Sequence, residues 1–256
     1  KTSWRVPQEV FNLAQRIINK IPKNNRVQKE WEPKKERGSV TEHYDISELQ
    51  SKLKTGKWLI LGRDRWRLNE FEEFLKDHNI YYERAKKNNP MKDKYAAIDL
   101  YENKLKKGKA LSYEECHEIK KKMLKNEWKP SLFKAMVKNK FYTMDMLKSD
   151  FGLNTDLPWQ AAFTRMGKND TDKINELIKK GEDLKNGARI KLATIHGVKG
   201  NERDNVVLSL KLSQSCKDAY IAKPDDENRV MYTGTTRTKS NLHIIHGGKG
   251  DYEYDK

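Results

Sequence analysis

The stretch that decides the fold reads Arg189-Ile190-Lys191-Leu192-Ala193-Thr194-Ile195-His196-Gly197-Val198-Lys199-Gly200-Asn201-Glu202. Its first six residues predict a β-strand, and the rest predicts a loop whose two glycines let the backbone approach a ligand closely. The loop carries hydroxyl, imidazole and ammonium donors, which suit phosphate oxygens, and one carboxylate, which suits a ribose hydroxyl. Because open α/β sheets bind ligands beyond the carboxyl ends of their strands, this loop is a candidate site. An ordinary loop with solvated charges is the alternative.

Strands and helices alternate on both sides of this stretch. Downstream, residues 205–210 and 242–245 predict two further strands, with a helix over 227–235 between them. Upstream, residues 7–21 predict an amphipathic helix, and the unbroken apolar run at 58–61 predicts a strand that is buried on both faces. This alternation predicts an α/β fold, a mostly parallel sheet with helices on both faces.

A long helical block interrupts the alternation. After a basic, proline-marked boundary the strand signals disappear, and helical patterns follow one another. Ser112 and Glu115 have the spacing of a helix capping box. The predicted organisation is therefore a first α/β part over 1–83, an all-helical inserted subdomain over 84–186, and a second α/β part over 187–256.

The chain is strongly basic, with a formal net charge of +16 over 256 residues. Residues 84–150 hold 18 Lys and Arg against 9 Asp and Glu, so this segment is the predicted footprint of a polyanion. For its cluster Lys120, Lys121 and Lys122, contact with phosphates and a solvated helix face are equally good interpretations. The aromatic residues of the segment recur at helical spacing with Leu and Met, which favours core packing over base stacking.

Several classes of protein are disfavoured by what the sequence lacks. Cys116 and Cys216 have neither C-x-x-C spacing nor nearby histidine pairs, so no metal site is expected and a reducing, cytoplasmic compartment is predicted. Neither a membrane span nor a signal-peptide core is apparent. The chain has no G-x-x-x-x-G-K-[ST] phosphate loop and no clustered carboxylate and lysine nuclease site. Since it begins at Lys1 without Met, we expect it to be an excerpt of a longer protein.

A second charged segment reads Asp226-Glu227-Asn228-Arg229-Val230-Met231-Tyr232-Thr233-Gly234-Thr235-Thr236-Arg237. Its outer arginines, Arg229 and Arg237, are eight residues apart, which is about 80° past two helical turns, so they do not share one helix face. We expect one of them to pair within the protein and the other to point into a cleft. The planar, permanently charged guanidinium suits a phosphoryl group because it makes bidentate hydrogen bonds. A surface arginine is the alternative.

Four segments, in this order along the chain, resemble the UvrD-like superfamily 1 DNA helicases. The stretch 194–202 resembles their motif V, roughly T-x-H-x-x-K-G-x-E, and 226–237 resembles motif VI, roughly E-E-x-R-L-x-Y-V-A/G-x-T-R. Ser3-Trp4-Arg5-Val6-Pro7 looks like motif IV, and Leu59-Ile60-Leu61-Gly62-Arg63-Asp64 looks like the adjoining motif IVa. The resemblance covers both predicted α/β parts, and the family carries a helical insertion, the 2B subdomain, between them.

The resemblance implies a RecA-like second motor domain that completes an ATP site. Arg237 is similar to the arginine finger and Arg5 to the motif IV arginine, and both would act in catalysis and bind the nucleotide. Glu202 and Gly200 would lie beside the same nucleotide. Four further side chains would contact single-stranded DNA: Thr194, His196, Lys199 and Arg63. In the helical block, Lys120, Lys121 and Lys122 would add contacts to the same strand.

The expected function is that of the C-terminal motor domain of an ATP-dependent DNA helicase, acting on single-stranded DNA or a duplex junction in replication or repair. Movement from 3′ to 5′ is implied by Lys199, where RecD-like relatives typically have Gln. Without a phosphate loop the fragment is expected to be inactive alone, because ATP and Mg²⁺ would come with an N-terminal RecA-like domain of the same protein. The alternative is a non-catalytic nucleic-acid-binding module on the same scaffold. A phosphate loop encoded upstream of Lys1 would favour the motor.

Overall fold

The computed structural model describes residues 2–28, 30–87, 89–198 and 200–254. The chain divides into two compact units, Lys1–Lys87 with Ala188–Lys256, and Asn88–Gly187. These borders lie within a few residues of those drawn from the sequence. Among the described residues, no helix combines the length and apolar character that crossing a bilayer requires.

Strands of the first unit form a parallel sheet. In chain order the strands of the molecule are β1 (Ser39–His43), β2 (Trp58–Gly62), β3 (Tyr82–Arg84), β4 (Leu111–Ser112), β5 (Phe141–Tyr142), β6 (Ile190–Thr194), β7 (Arg203–Ser209) and β8 (Thr238–Ile245). Within the described part of the first unit they lie in the order β1-β8-β7-β2-β6-β3, and all of these pairings are parallel. The expectation of a parallel α/β sheet is confirmed.

Helices cover this sheet and build the second unit. They are α1 (Gln8–Asn19), α2 (Arg65–Asp77), α3 (Pro90–Ile98), α4 (Tyr113–Lys120), α5 (Pro130–Phe133), α6 (Met144–Ser149), α7 (Trp159–Ala162), α8 (Lys168–Lys179), α9 (Gln214–Ala222) and α10 (Pro224–Thr235). None of the residues of α9 is fully buried, so no apolar periodicity marked it in the sequence. Two 3₁₀ turns, Ile46–Leu49 and Lys52–Lys54, precede β2, and the first is fixed by a capping box between Asp45 and Glu48.

Strand β2 shows why both faces of the sheet are covered. Leu59 and Leu61 belong to the core that includes residues of α1 and α10, whereas Trp58 and Ile60 belong to the core that includes residues of α2. This is the two-residue alternation of a strand, and all five residues of β2 are buried. An apolar run with no polar member was therefore a correct indicator of a central strand.

The second unit is mostly helical but not entirely so. Strands β4 and β5 pair antiparallel over two residues each, which corrects the all-helical expectation. Strands this short have too little alternation to be recognised in a sequence. The predicted capping box is present, because Ser112 Oγ accepts from the backbone N–H of Glu115 while the Glu115 carboxylate accepts from that of Ser112.

Aromatic side chains form the core of the second unit. Tyr101, Trp128, Tyr142 and Trp159 are buried, as the helical spacing predicted. Phe141 differs, since 66% of it is exposed.

Candidate functional site

A group of charged side chains lies at the amino-terminal ends of β7 and β8. Glu202 directly precedes β7, Arg237 directly precedes β8, and the two strands are paired neighbours. Arg5, from the segment before α1, donates from Nη1 to Oε1 of Glu202 at 2.5 Å. Lys239 Nζ lies 3.9 Å from the other oxygen of that carboxylate. We call these four residues the arginine cluster.

The arginine cluster has positive charge and hydrogen-bond donors to spare. Burial lowers the pKa of the half-buried Arg237 guanidinium; the charge of Arg5 lowers it further, and Glu202 opposes them. Arg237 Nε donates to the carbonyl oxygen of Thr233 at 3.2 Å, and its terminal nitrogens have no partner among the described residues. The buried Nε of Arg5 also has no partner in the described part of the chain. Unused cationic donors at a half-buried place suit an anion such as a polyphosphate.

The end of α10 fixes the position of Arg237. A Cβ on Gly234 would lie 2.9 Å from Leu208 Cδ1, so glycine lets the helix pack closely against the sheet. The hydroxyl of Thr236 donates to Thr233 O at 3.2 Å, and the backbone N–H of Arg237 donates to Gly234 O at 3.1 Å. These bonds end the helix and hold Arg237 at its last turn.

Arg229 and Arg237 differ in their hydrogen-bond partners. Arg229 pairs with Asp226 at 2.7 Å and donates to the carbonyl oxygen of Asn25 at 2.7 Å. Both arginines line a cavity of about 370 Å³, together with His196 and Thr233. Arg237 is the arginine of the two whose terminal nitrogens have no partner among the described residues.

A second group lies at the carboxyl-terminal ends of β3 and β6. Arg84 is the last residue of β3 and Thr194 the last of β6, and the two strands are paired neighbours. A cavity of about 380 Å³ opens there. We call it the basic groove, after the polar and charged residues in its lining, which are Arg65, Arg84, Lys86, Lys87, Thr194 and His196.

A buried carboxylate organises the basic groove. Glu72, on α2, is 7% exposed and accepts hydrogen bonds from Arg84, from the Tyr82 hydroxyl at 2.9 Å and from Lys87 Nζ at 3.1 Å. Burial acts to raise the pKa of Glu72, but the bonds from Arg84, Lys87 and Tyr82 prevail and lower it to about 2. Arg84 also donates to the carbonyl oxygen of Arg65 at 2.9 Å. One carboxylate thereby fixes the positions of two of the groove's cations.

Thr194 ends β6, and His196 belongs to the 3₁₀ turn, Ile195–Val198, that follows it. Thr194 Oγ1 accepts from the backbone N–H of Gly197 at 3.1 Å, and a Cβ on Gly197 would approach that oxygen to 3.0 Å. His196 is exposed and lines both the basic groove and the cavity beside Arg237. The turn therefore connects the two regions.

Arg63, which was also predicted to contact the DNA strand, is held by a bond within the protein. Its Nε lies 2.8 and 2.9 Å from the two carboxylate oxygens of Glu227, on α10. The side chains are 19% and 2% exposed respectively. Burial raises the pKa of Glu227, and Arg63 acts in the opposite direction. Arg63 Nη1 is also 3.5 Å from His196 Nδ1.

The other residues predicted in the loop are dispersed. Gly200 is exposed, with a φ of +82° that favours glycine and open space where a Cβ would lie. Lys199 lies outside the described residues. Asp64, which departs from the family pattern, accepts from the backbone N–H groups of Arg67 at 3.0 Å and Ser213 at 3.3 Å. Asp64 therefore caps α2 and anchors the segment before α9.

The predicted lysine cluster belongs to the second unit, at the end of α4. Lys121 pairs with Glu118 at 2.6 Å. Lys120 is half-buried, and burial together with Arg165 lowers its pKa. Helix α4 ends at Lys120, so Lys121 and Lys122 lie in the turn that follows it.

The arrangement of the sheet corrects one expectation and adds residues that the sequence did not reveal. The arginine cluster lies at the amino ends of β7 and β8, not at the carboxyl ends, because the loop after β6 crosses the sheet before β7 begins. Arg65 was missed, and Lys86 and Lys87 were predicted only as part of the basic segment 84–150, because local sequence does not show that the ends of β3 and β6 are neighbours. Their signal was that basic residues follow strand ends. Trp66, beside Arg65, is 69% exposed.

Comparison with known proteins gives one family. A family model described as the UvrD-like helicase C-terminal domain matches residues 91–248, which is more than half of the chain and includes the segments 194–202 and 226–237. No curated protein matches. Within the described residues, no group of three or more His, Cys, Asp and Glu side chains could hold a metal ion.

Proposed function

Because the chain belongs to the UvrD-like helicase C-terminal domain family, we propose that its first unit is the second motor domain of an ATP-dependent helicase. The motor would move 3′ to 5′ along single-stranded DNA, or at a duplex junction, in replication or repair. The observation that carries this proposal is the arginine cluster, where the terminal nitrogens of Arg237 have no acceptor among the described residues. Glu202 and Arg237 belong to the helicase-like segments 194–202 and 226–237, so a nucleotide is the anion that fits the cluster best.

The arginine cluster fits the phosphates of ATP in charge and in hydrogen bonding. Arg237 would stabilise the charge that develops on the transferring phosphoryl group, and Arg5 would bind the same phosphates from the other side of Glu202. Gly200 would allow the loop backbone to approach the nucleotide. Glu202 is already paired with Arg5, so Mg²⁺ would be held by an N-terminal RecA-like domain that also carries the phosphate loop. Bound there, ATP supplies the phosphoryl transfer that drives movement.

The basic groove would hold the DNA strand. Arg65, Lys86 and Lys87 would contact phosphates, and Thr194 and His196 would donate hydrogen bonds beside them. Lys199 remains part of this proposal through its place in the loop. The exposed indole of Trp66, next to Arg65, offers a surface on which a base stacks. In the second unit, Lys120, Lys121 and Lys122 would add phosphate contacts.

A non-catalytic module that binds nucleic acid on the same scaffold is the second candidate, and the basic groove alone would serve it. The test uses the full protein with its upstream region. We expect ATP turnover that oligo(dT) stimulates, and binding of oligo(dT) that weakens steeply as salt rises. Binding without turnover would establish the module instead. A protein that does neither would contradict both candidates.

A further inference from the structure

His196 lines both the basic groove and the cavity beside Arg237. It forms a wall of the basic groove together with Thr194 and Arg65, and a wall of the second cavity together with Arg237. Because the ring is shared, the nitrogen that carries its proton decides what it offers to a ligand. A histidine ring can donate from Nδ1 or from Nε2, and its partners select between the two.

The partner of His196 Nδ1 is a guanidinium. Arg63 Nη1 lies 3.5 Å from this nitrogen, at the long end of the hydrogen-bond range. Arginine has five N–H donors and no acceptor. A proton on Nδ1 would therefore place two donors against each other, whereas a lone pair on Nδ1 accepts from Arg63.

Arg63 is not able to move away from this contact easily. Its Nε is bonded to both oxygens of Glu227, at 2.8 and 2.9 Å, and Glu227 is 2% exposed. Removing the guanidinium would leave a carboxylate buried without its partner, which is costly. The order of contacts is thus Glu227 on α10, Arg63 after β2, and His196 after β6.

We infer that the Glu227–Arg63 pair fixes His196 as a neutral imidazole with its proton on Nε2, so that the ring offers a single uncharged donor to the DNA strand. Arg63 is then a positioning residue and does not itself contact the strand. This inference rests on the proposed function for its ligand, but the tautomer does not depend on that function. A neutral donor also releases no counterion when it binds a strand, which separates it from the lysines of the groove.

The tautomer is measured first, by ¹⁵N NMR of the histidine rings in the chain without DNA, with His196 assigned by comparison with His196→Gln. We expect the Nε2–H form in the wild-type chain, and a mixture of tautomers in Arg63→Gln. Glu227→Gln should shift the mixture in the same direction. An Nδ1–H ring or an imidazolium in the wild-type chain would overturn the inference, and this result requires no variant to fold other than the one used for assignment.

Binding of oligo(dT) then tests the role of Arg63. We expect Arg63→Gln and His196→Ala each to weaken binding by about 5-fold, the scale of one hydrogen bond, with the double variant no weaker than either. The salt slope should stay unchanged in all three. Arg67→Gln is the matched control, since Arg67 is a half-buried arginine bonded to Glu70 and to Leu212 O, and it should bind as the wild type does.

A direct phosphate contact by Arg63 gives a different pattern. The salt slope of Arg63→Gln would then fall by about 0.7, and its effect would add to that of His196→Ala. That outcome would overturn the positioning role. If the wild-type chain does not bind oligo(dT), the proposed function fails, whereas the NMR result still decides the tautomer.

Discussion

The arginine cluster lies before β7 and β8, at the amino-terminal end of the sheet, whereas the basic groove lies beyond β3 and β6, at its carboxyl-terminal end. The two regions also differ in how their charge is held. Trp58 pairs with Ile190 and Asn205 near the amino end, and Gly62 pairs with Thr194 at the carboxyl end. Trp58 and Gly62 are four residues apart along β2, which corresponds to about 13 Å at 3.3 Å per residue. The arginine cluster is half-buried and converges on a point, whereas the basic groove spreads exposed lysines along a cavity.

This difference matches two kinds of ligand. Few fixed donors in a partly buried place recognise a definite arrangement of charge, as in a phosphoryl group during transfer. Exposed cations along a groove suit a polymer whose phosphates repeat and whose binding is governed by counterion release. If the comparison is right, substitutions in one region will change turnover and those in the other will change strand affinity.

The largest effect is expected from Arg237→Ala in the full-length enzyme. Loss of an arginine that stabilises the transferring phosphoryl group should reduce DNA-stimulated ATP turnover by roughly 10³-fold or more, with DNA affinity nearly unchanged. Steady-state turnover and oligo(dT) titration measure the two quantities. Arg229→Ala, on the helix α10 that precedes Arg237 but paired with Asp226, is the control and should have a much smaller effect. Turnover within a few-fold of wild type would refute the role given to Arg237.

The next effect is expected from neutralising Arg65, Lys86 and Lys87 together, as glutamines. Three lost phosphate contacts should lower the salt slope by about 2, which corresponds to roughly 10²-fold weaker binding at 0.1 M salt. The matched control replaces Lys52, Lys54 and Lys57, which are exposed before β2, at the opposite end of the strands from the groove. If both triple variants lose affinity equally, the groove has no special role and only net charge matters.

A smaller effect is expected from Glu72→Gln, which removes the carboxylate that holds Arg84 and Lys87. The pKa of Glu72 is about 2, below the value of about 4.3 for an unfolded chain. Its stabilisation is therefore complete above about pH 4.3 and is lost as the pH falls through 2. We expect the variant to lose about 2 kcal/mol of unfolding free energy at pH 7, less than the full shift implies because two of the paired lysines are exposed.

Denaturant unfolding at pH 7 and at pH 3 checks this prediction. Between these two values the wild type should lose more stability than Glu72→Gln does. Glu73→Gln, the neighbouring residue of α2, is the control for removing one acid. Equal losses in the wild type and in Glu72→Gln would mean that the paired carboxylate does not organise the groove.

The smallest effect is expected from replacing Lys120, Lys121 and Lys122 with glutamine. Lys121 is paired with Glu118 and Lys120 is half-buried, so the salt slope should fall by about 0.7, one contact, and not three times as much. Replacement of the exposed Lys168, Lys173 and Lys179 on α8 is the control. An unchanged slope would identify the cluster as a solvated helix end.

Local sequence identified the main strands and helices of the first unit, and the family resemblance supplied Arg5, Glu202 and Arg237, but neither identified the groove. The apolar run at 58–61 identified a buried central strand, and the spacing of Arg229 and Arg237 indicated that only one would pair inside the protein. Both inferences rest on how side chains repeat along a single strand or helix. The basic groove depends on β3 lying beside β6, residues more than a hundred positions apart, and no local pattern encodes that pairing.

Arg63 shows the same limit in another form. Its motif placed it near the strand, but the motif does not show that Glu227, a residue of a distant helix, binds it. Burial of a charge and the partner that permits it are properties of the packed molecule. The sequence therefore reveals which charged residues lie at strand ends, but it does not reveal which of them are bound within the protein.

Steady-state ATP turnover of the full-length enzyme as a function of oligo(dT) concentration tests the central claim most directly, when Arg237→Ala is compared with the groove variant Arg65→Gln, Lys86→Gln, Lys87→Gln. We expect Arg237→Ala to lose maximal turnover and to keep its half-saturating DNA concentration. The second should need roughly 10²-fold more DNA at 0.1 M salt and keep its maximal turnover within a few-fold. If maximal turnover and half-saturating DNA concentration change together in both variants, the arginine cluster and the basic groove are not separate sites for nucleotide and DNA.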